Sequence, residues 1–221
     1  MGDRRGGWTV CAAAGLSCAV CGATPVSFGP GSGGSVALAN SLGPGTFQTS
    51  ITVADGRTVS GVNVLISSLV HNWMGELSAT VTHVPTGRSA SLFSRVGSGP
   101  SLASGDSSDF TGSYWFADGG LDLIAVAGST GATSPIASGT YAASGVSGAA
   151  VSLAGVFGGI AGAGEWRLVL QNFGQNDTAT FGSWTLGLDL VEGSTAAPLG
   201  NAALLGAAGL GWVSARRRRA L

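Results

Sequence analysis

From about residue 51 onward, apolar and polar positions alternate with a period of two. Val62, Val64 and Ile66 fall on one side of such a run, and Leu77, Ala79 and Val81 repeat it. Leu121 and Leu123 give a shorter instance. Trp166, Leu168 and Leu170 form a clear apolar face, and Trp184, Leu186, Leu188 and Leu190 form another. Successive side chains of a strand point to opposite faces, so each run predicts a strand with one buried side. Gly, Asn, Asp and Pro punctuate the runs, which predicts turns between antiparallel strands. No stretch between Ser50 and Glu192 carries a helical period. The pattern predicts an all-β fold, a β-sandwich over residues 51–192. A domain of roughly 140–170 residues buries about two-thirds of the surface its unfolded chain exposes, enough for a core without disulfides.

The two ends break this pattern. Arg4 and Arg5 precede the apolar run WTVCAAAGLSCAV and the small-residue stretch CGA. That is the order of a secretory signal, with its helix, over residues 1–23. All three cysteines (Cys11, Cys18, Cys21) lie inside it, so removal of the signal leaves no disulfide or thiol chemistry. Residues 24–50 read as a Gly/Ser/Pro-rich leader with one edge strand. Within it, GPGSGG (residues 29–34) matches the spacing of a dinucleotide-binding loop. No strand–helix context follows, and high glycine content accounts for the match. Residues 193–221 read as a tail. Its uncharged stretch, residues 198–215, has 18 residues, about 27 Å as a helix and just enough for a thin bilayer. Four arginines, residues 216–219, follow at once and predict a cytoplasmic end.

Composition narrows the chemistry. The 221 residues include 39 glycines and only 10% charged residues, a mixture of turn-rich exported β proteins rather than helical ones. There is no lysine, which excludes a Walker-type phosphate lysine, a Schiff-base lysine and a lysine general base. Residues 24–192 hold ten acids and four arginines, a formal net of −6 (4 − 10), so the overall charge of −1 conceals an acidic body. Phosphate backbones need a basic face, and an acidic body argues against a nucleic-acid partner.

The motifs HNWMGEL (residues 71–77), PTG (85–87), FAD (116–118), SGTY (138–141), LAGVFGG (153–159), GEWRLVL (164–170) and NDTATFGSWTLGL (176–188) follow one another. In that order and spacing they resemble the P domain (P/Homo B domain), the β-sandwich that follows the catalytic domain of kexin- and furin-like proprotein convertases. Glu76, Asn172 and Ala179 stand where that family commonly has Asp, Asp and Gly. The resemblance covers residues 51–190 and implies a jelly-roll sandwich. It places Glu76 near a sandwich edge, where some members hold calcium, and implies association with a subtilisin-like serine endopeptidase. The tail resembles a PEP-CTERM-type sorting signal in its apolar helix and terminal arginine cluster, with Pro198 alone in place of Pro-Glu-Pro. That likeness implies export, transient anchoring in the inner membrane, and cutting by a sorting protease.

Candidate sites are few. The two histidines, His71 and His83, stand twelve residues apart and lack the third ligand that a zinc site needs, so both read as framework. Glu76, Asp118, Asp122 and Asp177 are acids at or near turns, and their hard oxygens suit calcium brought together from separate loops. The alternative is solubilising surface charge, and no other cofactor is expected. There is no G-x-S-x-G elbow, and residues 24–50 are too short for a subtilisin-type domain. A carboxylate pair such as Asp118 with Asp122 or Glu165 reads more simply as a solvated loop or cation ligand. The expected function is a non-catalytic exported surface or extracellular-matrix protein, in the cell envelope or outside the cell, that binds a protein or exopolysaccharide or plays a structural part. The alternatives are a module acting with a separately encoded subtilisin-like endopeptidase and a carbohydrate-binding module. Trp73 and Trp115 would supply stacking faces for sugars if exposed and adjacent, whereas Trp184 belongs to the inward face.

Overall fold

Along the strand Gly164–Asn172, Trp166, Leu168 and Leu170 are buried, while Glu165, Arg167 and Val169 between them are half-exposed. Such one-sided strands must cover their apolar faces, and two sheets do so against each other. The structure is a computed structural model and describes residues 22–40, 42–99, 104–130, 134–175 and 177–192. The signal and tail helices expected from the sequence lie outside the described residues.

The strands are β1 (Thr24–Val36), β2 (Gly45–Val53), β3 (Thr58–His71), β4 (Leu77–His83), β5 (Arg88–Ser94), β6 (Asp109–Leu121), β7 (Pro135–Ile136), β8 (Gly139–Tyr141), β9 (Gly164–Asn172) and β10 (Ala179–Val191). One sheet runs in the order β1-β10-β3-β6-β7, with β8 also paired to β6. The other runs β2-β9-β4-β5. The long pairings are antiparallel, and the short β7 and β8 pair with β6 in parallel. The all-β sandwich expected from the alternation is therefore present. Phe93 of β5 fastens the sheets by lying between Phe110 and Phe116 of β6, at ring distances of 5.2 and 5.4 Å. Trp166 and Trp184 are fully buried, one in each sheet.

Three expectations need correction. Residues 24–50 hold the one edge strand expected of them, but they are part of the sandwich rather than a leader to it. They supply β1 and most of β2, and β1 pairs with β10 from Thr24↔Leu190 to Val36↔Ala179. A Gly/Ser sequence makes a poor strand alone, but an apolar neighbour overrides propensity. Gly31 also has a packing role, because any Cβ there would run into the Trp184 indole. Second, Leu121 and Leu123 do not share a strand. β6 ends at Leu121, which is exposed, and Leu123 opens the helix α1 (Leu123–Thr130). Third, a second helix, α2 (Leu153–Phe157), sends Leu153 and Phe157 into the core. Both helices are shorter than the windows in which helical periodicity is visible.

Candidate functional site

The path of β3 decides what the site contains. Its buried residues run Val62, Val64, Ile66 and then jump to Leu69 and His71. Pairing with β6 shifts register between Ile66 and Leu69, and Ser68 takes a left-handed φ of 53°. A bulge of this kind re-aims every side chain beyond it. Without it His71 would lie on the outer face; with it the imidazole is buried, 2% exposed.

The chain then turns through the 3-10 segment Met74–Glu76. The amides of Met74 and Gly75 donate to the carbonyls of Ser108 (2.9 Å) and Asp106 (2.9 Å). Phe173 N–H donates to the Glu76 carbonyl at 2.8 Å, which ties this turn to the end of β9. In the connection from β9 to β10, the buried Asn172 amide donates to the Asp177 carbonyl (2.9 Å), while its Oδ1 accepts from Gly174 N–H (2.8 Å). The end of β3 with the turn that follows it, and the distant β9–β10 connection, thus bring His71, Glu76 and Asp177 together. His71 Nε2 lies 3.9 Å from Glu76 Oε2, and His71 Nδ1 lies 3.7 Å from Asp177 Oδ1. Neither separation is a hydrogen bond. Both ring nitrogens and Asp177 Oδ1 are buried without a hydrogen-bond partner.

Burial sets the electrostatics. Desolvation holds the His71 pKa below its ordinary 6.5, against the opposing pull of the Asp177 and Asp109 charges, so the imidazole is neutral at neutral pH. Burial and the Asp177 charge push the Glu76 carboxyl up, with Arg95 opposing. Among the described residues, His71, Glu76 and Asp177 are the one group of three His, Cys, Asp or Glu residues whose donor atoms come within 4.8 Å of one another.

The four acids expected to share calcium therefore divide. Glu76 and Asp177 meet, but Asp118 and Asp122 are not with them. Asp118 caps α2, accepting from Leu153 N–H (2.7 Å), Ala154 N–H (3.0 Å) and the Ser152 hydroxyl (3.0 Å). Asp122 caps α1 through Ile124 N–H (2.9 Å) and Ala125 N–H (3.3 Å). Short polar side chains at helix starts satisfy the free amides of the first turn, and that is the use made of both. Glu165 accepts from the Ser50 hydroxyl and from Arg167.

The histidines divide as well. His83 is framework: Nδ1 lies 2.9 Å from the Thr86 hydroxyl, Nε2 lies 3.1 Å from the Ala163 carbonyl, and the ring packs on Trp166. His71 makes no such bonds, so the framework reading does not hold for it. The signal that could have revealed it was the switch of apolar positions in β3 from even to odd numbers.

Trp73 is half-buried, and its indole N–H donates to the Ser104 carbonyl at 2.9 Å. Trp115 is half-buried on the outer face of β6, where Asn63, Ala117 and Thr140 line a shallow groove with it and Trp73 does not, so the two tryptophans are not the exposed, adjacent pair that the stacking expectation requires. Trp184 is core. Among the described residues, no helix is long and apolar enough to cross a membrane.

No protein-family model matches the chain, and no curated protein matches it. Solved structures similar to it include a chain from the complex of Aeromonas sobria serine protease with its chaperone ORF2. That chain is 16% identical with a TM-score of 0.40, over 76% of this chain and 27% of that one. The serine protease of Aeromonas sobria alone is 15% identical with a TM-score of 0.39, over 75% of this chain and 27% of that one. This chain thus spans about a quarter of the length of the chains it matches. The chain is a two-sheet β-sandwich with a buried histidine between two carboxylates at one end.

Proposed function

We propose that this chain is an exported, non-catalytic surface or extracellular-matrix module that binds polysaccharide through its outer face. The observation that carries the reading is the groove on the six-stranded sheet, about 300 Å³, lined by Asn63, Trp115, Ala117 and Thr140. An aromatic face stacks on the apolar face of a sugar ring, and a neighbouring amide and hydroxyl can match its hydroxyls. The carboxylates that a hydrolytic reading would use have other work: Asp118 and Asp122 cap helices, and Glu165 holds Ser50 and Arg167. The signal-like start and the apolar, arginine-terminated tail support export to the envelope or beyond.

Co-sedimentation of the purified full chain with the producing organism's exopolysaccharide tests this. Saturable binding that falls about fivefold in Trp115→Ala is expected, since stacking on one aromatic contributes on the order of 1 kcal/mol. No binding, or binding indifferent to Trp115, overturns it. The second reading, a module acting beside a separate subtilisin-like endopeptidase, is supported by the ordered motifs, two of which form β9 and β10. Specific capture of such an enzyme from the same secretome would favour it over the first.

A further inference from the structure

We propose that His71 and one of the two carboxylates of Glu76 and Asp177 ligate a divalent transition cation of the zinc class, the other carboxylate holding the second ring nitrogen, at the end of the sandwich where β3, the 74–76 turn and the β9–β10 connection meet. The first argument is the state of the histidine. Its side chain is fully buried, yet neither ring nitrogen has a hydrogen-bond partner, and both point at carboxylates. Buried polar groups are nearly always satisfied, and those left over call for an ion, a water or a function.

The second argument is spacing. Separations of 3.7 and 3.9 Å are too long for hydrogen bonds. They are shorter than twice a metal–ligand bond of about 2.0–2.1 Å, so one ion can reach a nitrogen and an oxygen so placed. An imidazole binds metal through one nitrogen, and the other then faces the remaining carboxylate. That carboxylate–histidine–metal arrangement fixes the tautomer and raises the basicity of the ligand.

The third argument is the donor set. Imidazole with carboxylate suits zinc and its neighbours, whereas calcium takes six to eight oxygens. Gly174 lies directly beside the acid, and a Cβ there would meet the Glu76 carboxylate unless that side chain moved. The side chains of Glu76 and Asp177 are 24% and 22% exposed, so water can complete the coordination. The cation would add a link between the end of β3 with its following turn and the β9–β10 connection, which the Phe173 N–H to Glu76 carbonyl bond also joins.

The test uses the full chain, stripped with chelator and titrated with Zn²⁺, Co²⁺ and Ca²⁺ by calorimetry. One equivalent of Zn²⁺ should bind, Ca²⁺ should not compete at equal concentration, and melting temperature should rise with Zn²⁺. The near-isosteric variants Glu76→Gln and Asp177→Asn should each weaken Zn²⁺ binding by about 10–100-fold. A readout independent of variants is the ring-nitrogen NMR of the two histidines, in which Zn²⁺ should move His71 and leave His83 in place. Absence of saturable binding, undiminished affinity in both variants, a preference for Ca²⁺, or a shift at His83 instead would each overturn the proposal.

Discussion

Replacing Asp118 by alanine removes three hydrogen bonds from the start of α2. Oδ1 accepts from Leu153 N–H at 2.7 Å, and Oδ2 accepts from Ala154 N–H and the Ser152 hydroxyl, both at 3.0 Å. The carboxylate is exposed, so water replaces part of what is lost, and the full strength of three charged bonds does not apply. Loss of an N-terminal cap costs ~0.5–2 kcal/mol, and the lost charge at the helix start adds ~0.3–1. Ser152 still caps Gly155 N–H (2.9 Å), which holds the estimate to the lower part of that range. The effect reaches further than the helix end, because α2 seats Phe157 against Trp166 at 5.0 Å. The expected destabilisation is about 1–2 kcal/mol, or about 3–6 °C in melting temperature for a domain of this size. Urea unfolding should show the midpoint falling at unchanged m-value, with Asp118→Asn intermediate. Any stabilisation by millimolar Ca²⁺ should be the same in wild type and Asp118→Ala. A loss under about 0.5 kcal/mol, or a calcium effect abolished by the substitution, would refute the capping role.

Three further outcomes are expected. Gly31→Ala should cost about 1–3 kcal/mol, because its methyl meets the buried Trp184 indole, while Gly56→Ala, with open space around it, should change stability by less than about 0.5; chemical denaturation compares the two. Tyr114→Phe should cost about 1–2 kcal/mol, since the hydroxyl donates to the Ile136 carbonyl at 3.0 Å and accepts from Thr111 N–H at 2.9 Å. Burial raises the Tyr114 pKa above its ordinary 10.0, so its contribution is whole below pH 10 and lost as pH rises through the folded-state value; the variant should lose less stability than wild type in that window. Changing the four arginines 216–219 to serine should let the chain pass uncleaved into the medium, read by fractionation and mass spectrometry of the released C-terminus.

The fold was legible where burial was one-sided and pairing unbroken. β9 and β10 carry their large apolar residues at every second position, and both occupy interior places in their sheets. β1 was legible only as one edge strand within residues 24–50, because its sequence, TPVSFGPGSGGSV, holds few apolar residues to alternate. Its place is fixed by β10 and by the lack of side chains that lets it lie on Trp184, and both are tertiary causes. The helices were missed for a different reason. α1 and α2 have eight and five residues, and capping acids from outside them, Asp122 and Asp118, do much of the work of starting them. Their place near turns suggests calcium, whereas in the structure their carboxylates accept from the amides at the two helix starts.

The site was half legible, and the missing half turns on one bulge. Glu76 and Asp177 suit calcium from their place at turns; sequence separation hides that Asp177 faces His71, and the bulge in β3 hides that Glu76, in the same motif, does so too. A strand counted at strict period two puts His71 opposite Ile66, on the outer side. The shift between Ile66 and Leu69 reverses this, and no single residue type announces it. The contrast between the two histidines is then informative. They sit at the ends of successive strands and are both buried, yet His83 has a partner on each ring nitrogen and His71 has none. A chain that satisfies one buried imidazole with a hydroxyl and a carbonyl had the same means for the other. It has instead put two carboxylates just beyond hydrogen-bond reach of His71, with a glycine directly beside one of them. That arrangement is costly as a hydrogen-bond network and well suited to holding a cation.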